Sequence, residues 1–154
     1  MLQQKLNFLQ NKFLLLIEKI DHDQKPLWGK MNAQQMLEHT AAFFEVSTKK
    51  RHFDLVTPQE HLPKYREFLW SKKEFKENTK APVLPEEPLP LAFDSYASSL
   101  HYLKTEVEAF FIFFDENPIT TTQHPVFGPL NFDDWVQLHY KHVTHHLKQF
   151  GVQL

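Results

Sequence analysis

The sequence predicts an all-α fold, a four-helix bundle with a short extra helix and a proline-rich excursion between its second and third helices. Three observations predict it. Apolar residues recur at three- and four-residue spacing over four separate stretches. Only three glycines occur, Gly29, Gly128 and Gly151, each at an apparent element boundary, so tight hairpins are few. Strand-like alternation of apolar and polar residues is scarce. The 154 residues fit one domain, 1–154, long enough to bury a core without disulfide or metal staples.

The first helix is predicted over residues 2–20, where Leu6, Leu9, Phe13, Ile17 and Ile20 share a face. The polar run from Asp21 to Lys25, then Pro26, breaks it. The second is predicted over 32–48. Asn32 is its N-cap and Gln35 follows three residues later, a capping box with an amide in place of the carboxylate. A short helix is predicted over 57–68, with Thr57 as N-cap, Pro58 at the first helical position and Glu60 as box partner. Prolines 82, 85, 88 and 90 make the next stretch an extended excursion. The third long helix is predicted over 94–115, on the spacing of Tyr96, Leu100, Leu103, Val107 and Phe110. The fourth is predicted over 131–150. Asn131 is its N-cap, Asp133 and Asp134 complement the helix dipole, and Gly151 takes the C′ position. Four long helices joined by excursions form the pattern of a bundle.

Composition narrows the function classes. The net charge is -2 and both signs are mixed along the chain, which offers no basic surface for nucleic acid. No cysteine occurs, which excludes disulfides, thiolate metal sites and cysteine nucleophiles. No secretion signal is read at the N-terminus, and the apolar run Phe110 to Phe114 is too short to span a bilayer. A cytoplasmic location is the expectation. That run covers every side of a helix, so one face points either to a second subunit, as a homodimer, or beneath the excursion.

Histidine is the unusual residue. There are ten, and four lie between His139 and His146. Residues four apart on a helix lie about 40° apart in azimuth, so His142 and His146 share a face and converge on a single ion. His145 lies roughly 100° away and is read as polar edge. Two imidazoles hold a metal weakly, and a third ligand from another element is expected. His39 is the best candidate, set in an apolar stripe with Met36, Phe43 and Val46. Plainer readings stand beside these: His39 as a hydrogen-bonded core residue, and the pair as solvated surface. No glutamate follows His142, so this is not the protease-type His-Glu-x-x-His motif.

Three segments carry a family resemblance: residues 28–39 from Trp28 to His39, residues 124–130 from His124 to Leu130, and residues 142–151 from His142 to Gly151. Together they resemble the DinB/YfiT-like metalloenzyme superfamily, nearest to one of its branches of unknown function. The resemblance spans essentially the whole chain. It implies an up-down-down-up four-helix bundle. It also implies a three-histidine site for a divalent metal ion, usually zinc or nickel, on His39, His142 and His146. Many such proteins are dimers, and some are S-transferases acting on low-molecular-weight thiols. Their commonest pattern has Arg-Gly-Gln after the last ligand, where this chain has Leu147-Lys148-Gln149, so the resemblance names no substrate.

Around the site, His124, His139, Gln149 and Trp135 are candidates for supporting the ligands or lining a pocket. His124 is otherwise a turn residue packed on Phe127, and Trp135 a core aromatic. His22, His52, His61 and His101 are read as surface residues. Three functions follow. In the first, a metal-dependent enzyme activates a thiol or water on an open three-histidine site, for S-transfer or hydrolysis of a small molecule. In the second, the metal is non-catalytic and ties two helices together. In the third, the chain is a metal-free interaction module.

Overall fold

The structure is a computed structural model that describes all 154 residues. It is mostly helical with one small two-stranded sheet. The helices are α1 (Leu2–Asn11), α2 (Phe13–Ile17), α3 (Ala33–Ser47), α4 (Leu62–Trp70), α5 (Tyr96–Glu116) and α6 (Phe132–Gln149). The strands β1 (Thr122–His124) and β2 (Gly128–Leu130) pair antiparallel, with Thr122 opposite Leu130 and His124 opposite Gly128.

Local chemistry sets most of these bounds. The Asn32 side chain accepts from the Gln35 amide at 2.8 Å, and the Gln35 side chain accepts from the Asn32 amide at 2.9 Å. The capping box thus starts α3 where expected. Asn131 and Asp134 form a second box at the start of α6. Asp134 also receives Arg66 at 3.0 Å and the Trp70 indole at 2.9 Å, which ties α4 to that end. At the other end Gly151 has φ +74°. Its amide bonds the Lys148 carbonyl at 2.9 Å and the Val152 amide bonds Leu147 at 2.9 Å, the paired bonds of a Schellman stop.

Three expectations need correction. The single helix over 2–20 is two segments, parted at Lys12 with φ -114° and ψ -38°. Lys12 still bonds Phe8 at 2.9 Å, and Leu16 bonds Lys12 at 3.0 Å, so hydrogen bonds bridge the joint. Beyond Ile17 the chain tightens into i to i-3 bonds that turn Ile20 into the core. The short helix does not start at Thr57. Pro58 has ψ 140°, outside the helical region, a 3-10 turn follows at Gln59–His61, and Pro63 occupies the first turn of α4. The third correction is the hairpin, which an all-α reading omits. Its strands are too short for alternation to register, and its turn is built by a side chain. His124 Nδ1 accepts from the amides of Val126 at 3.0 Å and Phe127 at 3.2 Å.

Twenty-four buried apolar residues form one core cluster, with Phe13, Phe44, Phe110, Trp135 and Phe150 its largest members. Helix α1 packs along α6, α3 lies against α5, and both α3 and α4 touch α6. In the Phe110 to Phe114 run, Phe110 and Phe114 are buried and Ile112 is 50% exposed. Residues 71–95 hold no regular element and cross the start of α3. The Glu38 carboxylate accepts from the Ala92 amide at 2.6 Å and the Phe93 amide at 3.1 Å, and Gln34 donates to the Phe93 carbonyl at 3.1 Å. The excursion therefore braces the helix that carries His39. No helix is long and apolar enough to cross a membrane.

Asn32→Ala is expected to lower stability by about 1 kcal/mol in urea denaturation, and Asn32→Ser by much less. Equal losses for the two variants would contradict the capping box.

Candidate metal centre

Helix α6 presents His142 and His146 one turn apart, with ring centroids 4.5 Å apart and planes at 88°. Helix α3 brings His39 to the same point, 103 residues away in sequence from His142. Its centroid lies 5.0 Å from that of His142 and 4.9 Å from that of His146. The His142 Nε2 atom is 3.0 Å from His39 Nε2 and 3.0 Å from His146 Nε2. Ligand atoms of the three residues all lie within 4.8 Å of one another. His142 and His146 are 7% and 6% exposed, while His39 is only partly buried.

Proton accounting tests whether these rings suit a metal. Burial, and then the other histidines, push His142 and His146 well below the usual imidazole range; burial lowers His39 to about 4. All three rings are therefore neutral at physiological pH. A neutral imidazole has one N–H and one lone pair. His142 Nε2 meets two other Nε2 atoms, and one proton does not serve two linear hydrogen bonds. None of the rings bonds a carboxylate that would favour an imidazolium. A divalent cation at the meeting point would satisfy the lone pairs together. Tetrahedral zinc with Zn–N bonds of 2.0–2.1 Å places its nitrogens about 3.3 Å apart, near the 3.0 Å of the two pairs that meet at His142 Nε2. His142 Nδ1 is buried with no partner. That orphan costs on the order of 1–3 kcal/mol, a penalty accepted where a ring is held for its other nitrogen. Phe43 holds that ring, stacked at 4.1 Å and 22°.

The four supporting candidates divide. Gln149 touches the centre: its Oε1 lies 2.7 Å from His146 Nδ1, and its Nε2 donates to the Trp28 carbonyl at 3.0 Å. His139 does not. It is fully buried, stacked on Phe44 at 3.8 Å and 8°, with Nε2 at 3.0 Å from the Ser47 hydroxyl. That hydroxyl donates to the Phe44 carbonyl, so His139 Nε2 is the donor to it. Trp135 is core; it stacks on His139 and donates to the Thr122 hydroxyl at 2.7 Å. His124 is the hairpin's turn residue, its ring 5.1 Å from Phe127 and separated from His142 by Phe43. Burial lowers it to about 3. His22, His52, His61 and His101 are exposed.

His145 is not a free polar edge. It is half-buried, 5.5 Å from Trp28 and 5.1 Å from His146 by ring centroid. It lines a cleft of about 180 Å³ with Trp28, Phe75 and the Glu74–Lys148 ion pair. Sequence reasoning missed Ser47 and the holding role of Phe43. Both were visible in principle, since His39, Phe43 and Ser47 stand four apart on α3.

Comparison with family models, curated proteins and solved structures gives no match for this chain. The DinB/YfiT resemblance rests on the sequence motifs alone.

The buried histidines give stability a direction with pH. His124 and His139 have lowered folded values, so the unfolded chain takes up protons first as pH falls below about 6.5. Their contribution is complete above that value and declines as pH drops toward the folded values. The unfolding free energy of metal-free protein, from urea denaturation, is expected to fall between about pH 6.5 and 5, by up to roughly 1.4 kcal/mol per pH unit for each such histidine, and the midpoint with it. A flat midpoint over that window would contradict neutral burial.

Proposed function

We propose that this protein is a metal-dependent enzyme holding one divalent ion, zinc or nickel, on His39, His142 and His146. The observation that carries the reading is the meeting of three neutral Nε2 atoms from two helices, where His142 and His146 are buried and His39 is partly exposed. The same proposal places the chain among DinB/YfiT-like up-down-down-up bundles. The packing of α1 on α6, and of α3 on α5 and α6, supports that arrangement.

Bound by three neutral ligands, the ion would keep its full charge and acidify a water or a thiol. The chain's own residues prepare the site. Burial keeps each ring unprotonated and ready to bind. Phe43 fixes the plane of His142, and Gln149 fixes His146. The small, largely polar cleft that Trp28, Phe75 and His145 line with Glu74, Glu77 and Lys141 neighbours His146 through His145, and is the nearest approach for a small substrate. Transfer to or from a thiol, and hydrolysis, are the two reaction classes this arrangement serves.

The near-complete burial of His142 and His146 favours one second reading, in which the ion only ties α3 to α6. An enzyme leaves a coordination position for exchange; a structural site is closed.

Protein made without a polyhistidine tag is expected to carry about one divalent ion per chain by plasma mass spectrometry, and His142→Ala to lose it at least roughly tenfold. No metal in wild-type protein after incubation with zinc and with nickel would contradict the proposal. Cobalt-loaded protein separates the two readings: its visible spectrum should shift on adding a small thiol if the site is open, and stay fixed if it is closed.

A further inference from the structure

The Trp28 carbonyl lies outside the histidine cluster, yet it decides which nitrogen of His146 carries the proton. A carbonyl oxygen only accepts. The end of the Gln149 amide that lies 3.0 Å from it is therefore the NH2 group. That leaves Gln149 Oε1 at the other end, 2.7 Å from His146 Nδ1. Oε1 also only accepts, so His146 Nδ1 is the donor. A neutral ring has one proton to give, and His146 Nε2 is left bare. That bare nitrogen is the one 3.0 Å from His142 Nε2.

We infer that Gln149 is a positioning residue that locks His146 in the Nδ1–H tautomer, and that the backbone at Trp28–Gly29 locks Gln149. Two observations show how firmly the lock is built. Gln149 is 4% exposed, so no bulk water stands ready to replace the amide. The segment Leu27–Gly29 is tied to the same residue twice, because the Leu27 amide also bonds the Gln149 carbonyl at 2.7 Å. Gly29 makes the approach possible. Its φ is +78°, and a Cβ there would sit 2.9 Å from Gln149 Nε2. Alanine at this position meets both backbone strain and the amide that the relay needs.

The tautomer stands on hydrogen-bond chemistry alone. Its consequence for ligand strength rests on the three-histidine metal reading: a pre-set bare Nε2 needs no proton shuffle before binding, and the carbonyl-type partner on Nδ1 raises the ring's basicity.

The test has two arms. Long-range 1H–15N correlation spectra of metal-free, histidine-labelled protein at neutral pH report the tautomer directly. Wild-type His146 is expected in the Nδ1–H form. Gln149→Met should move it toward the Nε2–H form, as should Gly29→Ala. Gln149→Glu should keep Nδ1 protonated, because a carboxylate still accepts, while losing the bond to the Trp28 carbonyl. Zinc affinity, measured by chelator competition, should then fall about 10- to 100-fold in Gln149→Met and far less in Gln149→Glu. An Nε2–H form in wild-type protein overturns the inference without any variant having to fold. So does a tautomer that Gln149→Met leaves unchanged. The Nδ1–H form in a protein that takes up no zinc upholds the tautomer lock and removes only the metal reading.

Discussion

Three imidazole nitrogens facing one another without enough protons to pair them form an unfavourable contact, and the rest of the structure exists in part to hold it. His142 and His146 are placed by one turn of α6. His39 arrives from α3, whose start is fixed by a capping box and braced by the excursion through Glu38 and Gln34. Phe43 stacks on one ring and Gln149 bonds another. Each restraint is modest. Together they define a point where lone pairs meet and where a metal ion could be held.

The aromatic packing around this point acts electrostatically as well as sterically. Phe43, Phe44, Phe110 and Trp135 surround His139, and Phe43 also stacks on His142. In such surroundings an imidazolium is disfavoured, so the rings stay unprotonated with a lone pair free. His139 shares that chemistry but spends its donor on Ser47 and stays out of the cluster. Two histidines three residues apart on α6 thus have different roles, set by what each faces. His139 belongs to the core and His142 to the site.

Signals that are local in the chain were legible. Asn32 with Gln35, Asn131 before two aspartates, and Gly151 after Phe150 mark helix ends through contacts within a few residues, and the structure uses each. The i, i+4 pair on α6 and the apolar stripe of His39 were readable for the same reason. Features made by distant partners were not. Nothing near Lys12 announces the break after Asn11. The hairpin depends on a histidine side chain that bonds two amides in its own turn. His145 looked like polar edge because its spacing puts it off the ligand face, yet Trp28, more than a hundred residues earlier, covers it. The Gln149 relay was readable only as proximity to the last histidine, since its other end is a backbone carbonyl.

X-ray absorption at the metal edge of zinc- or nickel-loaded protein tests the central geometric idea most directly. The account expects a nitrogen shell at about 2.0–2.1 Å for zinc, with the multiple-scattering pattern of three imidazoles, reduced to two in His39→Ala. A shell of oxygens alone, or one imidazole unaffected by removing His39, would show that the rings do not act together and would contradict it.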